Sequence, residues 1–401
     1  MRVKRVAIIH QAPVYNDFSG GGNLIKFIYE SLSKLKYKVV VFSIGPGDKI
    51  FKSKNFFEEV TAGLSGIDQG KLKYRLYDAL YLLLFGRPKT TEIMSNNYQL
   101  INKVANFEPE FVFFSTYALS PLISKIKYIM PKTKFVAFTD SYKQIELAFD
   151  AFLNTKLGSL FKFFKLEKFI KIKYLDSKLY LYQKMLEVAD TVIFTTPIDE
   201  NDTLKAYKNI LKNKKTISIP VVPSNINQID AKNIPSKHHN LFTIGFIGSY
   251  DYLPNKEAID LILNIIAPKC LTNKFLIIGQ GVPRKHLANV EFLGFVNDIA
   301  TIAKDVDLWL APLRKGVGIK TKIHTYIEYN RPIIGTSIAF AGYNAKNNVN
   351  CIISNEIKDY PTIIKNLESN RTLYNKLLKN THTLMNFSEK EILTKFKNIL
   401  V

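Results

Sequence analysis

The chain has 401 residues, 47% hydrophobic and 22% charged, enough for two domains that each bury a core and unlike a disordered or fibrous polymer. Its two cysteines, Cys270 and Cys351, stand in apolar surroundings, which argues against a disulfide framework or a thiolate zinc site. The formal net charge of +22 has three readings: a lysine-rich coding bias, a nucleic-acid binder, or adsorption to an anionic membrane face.

The first residues turn polar at His10 and Gln11, too soon for a signal-peptide core. The longest apolar run, Leu80 to Phe85, ends at Gly86-Arg87-Pro88, far short of the roughly 20 residues that span a bilayer. A cytoplasmic protein is expected.

In chain order, Val3 to Ile9 reads as a buried parallel strand, β-branched and continuous. Ser19 to Gly22 follows as a glycine loop. An amphipathic helix is predicted from about Asn23 to Leu35, with Leu24, Phe27, Ile28, Ser31 and Leu35 on one side. Val39 to Ser43 is the next strand, so the segment forms a βαβ unit with a helix N-terminus over the loop. Phe111–Ser115, Phe135–Phe138 and Val192–Thr195 are further strands. Ile219 to His239, with Pro220, Pro223 and Pro235 among polar filler, has a linker's composition. A second alternation opens with strand Phe242–Ile247, the turn Gly248-Ser249 and a helix Asn255–Ile266 begun by Pro254 and Asn255. Phe275–Ile278, Val290–Leu293, Leu308–Ala311, Ile333–Thr336 and Cys351–Ser354 complete a second parallel sheet.

The expected fold class is therefore α/β, two Rossmann-like doubly wound parallel-sheet domains facing a cleft. The domains are read as 1–218 for the acceptor, a linker 219–240, and 241–380 for the donor. A C-terminal helix in 381–401 is read as crossing back to the first domain. Ligands of such sheets bind at the carboxyl ends of the strands, and the cleft is the natural active site.

Consecutive glycines at Gly20, Gly21 and Gly22 let a ligand approach the backbone where the following helix offers free N–H groups; the plain alternative is a turn without a ligand. The C-terminal half carries more. Arg314, Lys315, Lys320 and Lys322 crowd around Gly316 and Gly318 ahead of a helix. Backbone N–H groups and ammonium groups so placed suit a diphosphate, although lysines on a basic protein are usually solvated.

Taken together, Phe246-x-Gly248-Ser249-x-Asp251-Tyr252-x-Pro254-Asn255, Gly279-x-Gly281, Phe292-x-Gly294 and Ala311-Pro312-Leu313 lead into Gly316-x-Gly318-Ile319-Lys320-x-Lys322. This series resembles the GT-B-fold glycosyltransferases of the "glycosyl transferases group 1" type, over most of residues 240–345. Residues 1–200 resemble them more loosely, through the glycine loop and Glu187-x-Ala189-Asp190-x-Val192-Ile193. The resemblance implies a nucleotide-sugar donor in the C-terminal domain, an acceptor in the N-terminal domain, and no bound metal or other cofactor. It implies that Gly248 and Ser249 lie near the donor phosphates, that Lys320 and Lys322 hold the diphosphate or an acidic sugar, and that Gly316 and Gly318 admit the ligand to the backbone. Arg314 belongs to the same donor set.

The family's pair of glutamates falls at Lys315 and Thr325, neither acidic. Thr325 makes a weaker bond to a ribose than a carboxylate, and Glu328, one turn later, is the candidate substitute. The departure leaves open the nucleotide, the retaining or inverting outcome, and an inactive GT-B-like binding protein. A sugar-nucleotide epimerase on the same fold is a further alternative. An inverting reaction needs a base; Asp140, just past a strand, is the candidate, with a helix N-cap as its plain reading. His10, at the end of the first strand, is the second.

Lys162, Lys165 and Lys168 recur at helical spacing with Phe161, Phe164, Leu166 and Phe169 around them, and Lys71 to Tyr77 repeats the theme. A basic amphipathic stretch with aromatics suits an anionic membrane surface, or packs as an ordinary helix. Nucleic acid is not an expected partner, since no recognisable binding motif occurs. The expected role is transfer to a glycan or lipid-linked acceptor in cell-surface polysaccharide or glycolipid synthesis, on the inner membrane face.

Overall fold

The computed structural model describes residues 4–14, 20–45, 50–52, 58–63, 93–153, 165, 167–221, 241–281, 283, 287–385 and 387–400. The chain divides into two compact units, residues 1–221 with 389–401, and residues 222–388.

The first unit is built on an eight-stranded sheet. Its strands are β1 (Arg5–His10), β2 (Lys38–Gly45), β3 (Ile50–Lys52), β4 (Glu58–Gly63), β5 (Phe111–Phe114), β6 (Lys134–Thr139), β7 (Thr191–Phe194) and β8 (Lys215–Ser218). The order is β3-β4-β2-β1-β5-β6-β7-β8, parallel throughout except for the β3–β4 pair. Val6 to Ile9 and Phe111 to Phe114 are buried along their whole length, the pattern of a sheet covered on both faces. The antiparallel β3 and the strands β4 and β8 escape the sequence reading, because none is an unbroken apolar run. Chain order reverses at β1, between β2 and β5, so a crevice is expected outside the carboxyl ends of those strands.

The second unit holds a six-stranded, wholly parallel sheet: β9 (Thr243–Ile247), β10 (Lys274–Ile278), β11 (Val290–Gly294), β12 (Leu308–Ala311), β13 (Ile333–Gly335) and β14 (Ile352–Ile353). Its order, β11-β10-β9-β12-β13-β14, reverses at β9. Both cysteines are buried and free in this unit.

Three local expectations are corrected. Gly20, Gly21 and Gly22 do not form a loop ahead of the helix; they are the first turn of the helix Gly20–Lys34. Their N–H groups are those a helix leaves without intrahelical acceptors. The second-unit helix starts at Leu253, with Tyr252 at its cap position, so Asn255 lies inside the first turn and does not cap it. Pro254 explains the register, since proline is preferred at the first helical positions. The predicted linker begins within the first unit: Ile219 and Val221 are buried, and the Ile219 N–H donates to the Phe194 carbonyl at 2.8 Å. Residues 222–240 lie outside the described residues.

The C-terminal helix Glu389–Ile399 belongs to the first unit. Its Phe396 ring packs 5.9 Å from Phe27 and 6.3 Å from Phe113. Lys34 bonds Glu389, and Lys395 reaches the Ser218 carbonyl at 2.8 Å.

Candidate functional site

In the second unit β9 and β12 pair only at Leu308–Ile244 and Trp309–Gly245, at the switch point where a crevice is expected. Beyond that point the backbone groups need other partners, and the Tyr326 hydroxyl supplies them. It accepts the Ile247 N–H at 2.9 Å and donates to the Leu310 carbonyl at 3.1 Å. Trp309 stacks on the Tyr326 ring at 4.6 Å. The glycine at 245 is required there, since a Cβ would stand 2.2 Å from the Trp309 ring.

Gly248 ends β9 and donates its N–H to the Ile278 carbonyl at 2.7 Å. The Asn255 side chain lies directly on it: a Cβ at 248 would sit 2.6 Å from the Asn255 amide carbon. Gly279 has φ +148°, and a Cβ there would stand 2.3 Å from the Gly248 carbonyl oxygen. Ser249 is half-buried and occupied locally, donating to the Gln280 carbonyl at 3.3 Å and accepting the Asp251 N–H.

Lys322, in the first turn of the helix Thr321–Glu328, reaches into this cluster. Its ammonium donates to the Asn255 amide oxygen at 2.6 Å and stands 4.2 Å over the Phe246 ring, a cation–π placement. Burial first, then the neighbouring Lys320 charge, pushes the Lys322 ammonium down to about 7.

Lys320 behaves differently. Its Nζ turns back on its own loop, to the Gly318 carbonyl at 2.6 Å and Val317 at 3.2 Å. Gly316 and Gly318 have φ of +143° and +68°, values that glycine adopts without the penalty of a Cβ. Arg314 is forked onto Glu257 of the helix Leu253–Leu261, and Lys315 is exposed. The Thr325 hydroxyl points to the Thr321 carbonyl at 3.5 Å. Glu328 lies 3.3 Å from the buried His324. Of the donor set read from sequence, Gly248 and Lys322 come together through Asn255 and Phe246. Those last two stood in the motif but carried no assigned role toward the donor.

In the first unit His10 is 6% exposed at the carboxyl end of β1, its Nδ1 3.3 Å from the Ser115 hydroxyl. Asp140 follows β6 and is not a helix cap, since the next helix starts only at Gln144. Its carboxylate accepts the Thr195 hydroxyl at 2.6 Å, and its carbonyl accepts Tyr182 at 2.9 Å. Burial pushes the Tyr182 phenol up, so Tyr182 stays a donor. Buried Glu59 accepts Ser43 at 2.5 Å and the Val14 N–H at 2.8 Å, fixing the chain just beyond His10. The carboxyl edge of this sheet thus presents hydroxyls, an imidazole and a carboxylate. Lys162 and the 71–77 cluster lie outside the described residues. Lys165 and Lys168 are exposed.

Residues 242–368 match the family model for "Glycosyl transferases group 1". No curated protein matches the chain in sequence. Among solved structures, sucrose-phosphate synthase from Thermosynechococcus elongatus superposes with a TM-score of 0.69 at 13% identity, over 99% of this chain and 98% of that one. The E. coli trehalose-6-phosphate protein bound with UDP-2-fluoro glucose gives 0.64 at 14% identity, over 99% of both chains. Anabaena HepE in complex with UDP gives 0.59 at 12% identity, again over 99% of both. The second unit is a glycosyl transferases group 1 domain, on a chain with the two-domain GT-B fold.

Proposed function

We propose that the chain is a glycosyltransferase whose second unit holds the diphosphate of a nucleotide-sugar at the β9–β12 crevice and whose first unit holds a glycan or lipid-linked acceptor. The observation that carries the reading is Lys322. A cation held at a strand-order switch point, on a ring face and a neutral amide, has no carboxylate bonded to it among the described residues. An anion is its natural complement. Two similar structures were solved with UDP or a UDP-sugar, which favours a donor of that class.

Transfer breaks the bond between the sugar carbon and the diphosphate oxygen and forms one to an acceptor hydroxyl oxygen. Lys322, with Gly248 beside it, takes the charge that develops on the departing diphosphate. In this reading Asp140 accepts the acceptor's proton, held in place by Thr195, and His10 orients the acceptor. The exposed Lys165, Lys168 and Lys171 beside Phe169 and Ile172, 51% and 60% exposed, support an acceptor presented at an anionic inner membrane face, as in polysaccharide or glycolipid synthesis.

The deciding experiment offers purified protein UDP-, GDP-, dTDP- and CMP-sugars, following nucleotide binding, donor hydrolysis and transfer. Binding and turnover of one class are expected. No nucleotide binding and no turnover with any would sink the reading, and a Lys322→Ala variant equal to the parent would remove Lys322 from it.

A further inference from the structure

Four features converge on the Lys322 ammonium: the Phe246 ring, the Asn255 amide oxygen, the Gly248 backbone under that amide, and Lys320 as a second cation. Asn255 contributes no charge. A carboxylate in its place would hold the ammonium at least as firmly, yet would occupy the charge that an anionic ligand needs. A neutral acceptor holds Lys322 in one rotamer and leaves its charge uncompensated, at the cost of a lysine that loses its proton more easily.

We propose that Asn255 is a positioning residue for the donor diphosphate, holding Lys322 over Phe246 through an acceptor that is necessarily uncharged. The inference rests on the donor reading above and deepens it. Gly248 belongs to the same device, because only a residue without a Cβ lets the Asn255 amide lie against the end of β9. The charges around the ammonium are accounted for. Glu257, on the helix that carries Asn255, is taken by Arg314. Glu328, on the helix that carries Lys322, lies with His324. Lys320 is the charged group that acts on it.

A consequence follows for protons. With its ammonium at about 7 when empty, Lys322 above that pH takes up a proton as the diphosphate binds. Donor affinity then falls with rising pH, approaching tenfold per unit well above the break. The diphosphate diester of a nucleotide-sugar has no group titrating near neutrality, so the break belongs to the protein.

The test measures UDP-glucose and GDP-glucose binding from pH 6 to 9 for the parent, Asn255→Asp and Asn255→Ser. Lys322 itself is titrated by NMR in ligand-free, lysine-labelled protein. Asn255→Asp is expected to raise the Lys322 midpoint by a unit or more, move the break with it, and weaken donor binding at least tenfold at pH 6, a gap that narrows above pH 7 as the parent loses its proton first. Asn255→Ser is expected to raise the donor KM several-fold and to lower kcat with it, since the same ammonium takes the charge of the departing diphosphate. Parent binding of a donor, with both variants matching it in KM and pH break, overturns the positioning role alone. An Asn255→Asp protein with an unmoved Lys322 midpoint does so without any ligand. If the parent binds none of the UDP-, GDP-, dTDP- and CMP-sugars, the donor reading falls and the proposal with it.

Discussion

At the scale of single residues, Lys322 sets function against stability. Its ordinary unfolded value is near 10.4, and in the fold it drops to about 7. Between those values the unfolded chain binds more protons, so this group makes stability rise with pH across that window. Below pH 7 both states are charged and the full penalty of holding the ammonium is present. Lys322→Met is therefore expected to stabilise the protein most at pH 7 and below, by roughly 1–2 kcal/mol after allowing for solvent screening. The gain should shrink toward pH 10, in urea titrations at several pH values, while donor binding is lost. Gly248→Ala tests the same cluster from beneath. The added methyl meets the end of a movable Asn255 side chain, so destabilisation should stay within about 1–3 kcal/mol. The donor KM should still rise several-fold as the amide is pushed off Lys322. The sequence exposed the glycines and lysines of this site, because Gly-x-Gly before a helix is a local pattern. It hid Asn255, since an asparagine capping a helix and one in its first turn look alike when the start is uncertain by two residues. Thr195 was equally hidden, because its bond to Asp140 joins residues 55 apart in sequence.

At the scale of elements, parallel strands were legible wherever the chain runs apolar without interruption, and their limits were read to within one or two residues. What an amphipathic helix packs against is not local information. The last helix shows this. Its apolar side, Ile392, Phe396 and Ile399, could serve either unit, and Phe27 and Phe113 of the first decide it. Phe396 is fully buried, so Phe396→Ala is expected to cost about 3–5 kcal/mol in the first unit. Hydrogen exchange resolved by peptide should then show protection lost in β1, β5 and the helix Gly20–Lys34. The second unit, which this ring does not help to form, should keep its protection. Equal loss in both units would mean that the helix stabilises the molecule in another way. The helix Glu167–Val188 makes the complementary point. Ile170, Leu181, Met185 and Leu186 are buried on one side, while Phe169, Ile172 and Tyr180 stand out at the other. Aromatic and basic residues at helical spacing were legible, but which of them the sheet would cover was not.

At the scale of the whole molecule the net charge is unevenly shared. Residues 222–388 hold 19 basic and 12 acidic side chains, so +15 of the +22 falls on the first unit. A composition bias alone gives no reason for exposed lysines to stand beside exposed Phe169 and Ile172 on one helix. An anionic lipid face accounts for both, since rings and aliphatic groups enter the interface while ammonium groups stay with the headgroups. No helix among the described residues is long and apolar enough to cross a membrane, so any attachment through them is of this peripheral kind. Each lysine near such a surface contributes about 1 kcal/mol. Replacing Lys165, Lys168 and Lys171 with glutamine is then expected to weaken binding to phosphatidylserine vesicles by roughly 100-fold. In flotation assays the parent's binding should fade as salt rises and the screening length falls below about 10 Å. Replacing Phe169 and Ile172 with serine should weaken binding at every salt concentration, because that contribution is not screened. A triple variant that floats like the parent, or a parent indifferent to salt, would return these lysines to composition and leave the acceptor's location to be sought elsewhere on the first unit.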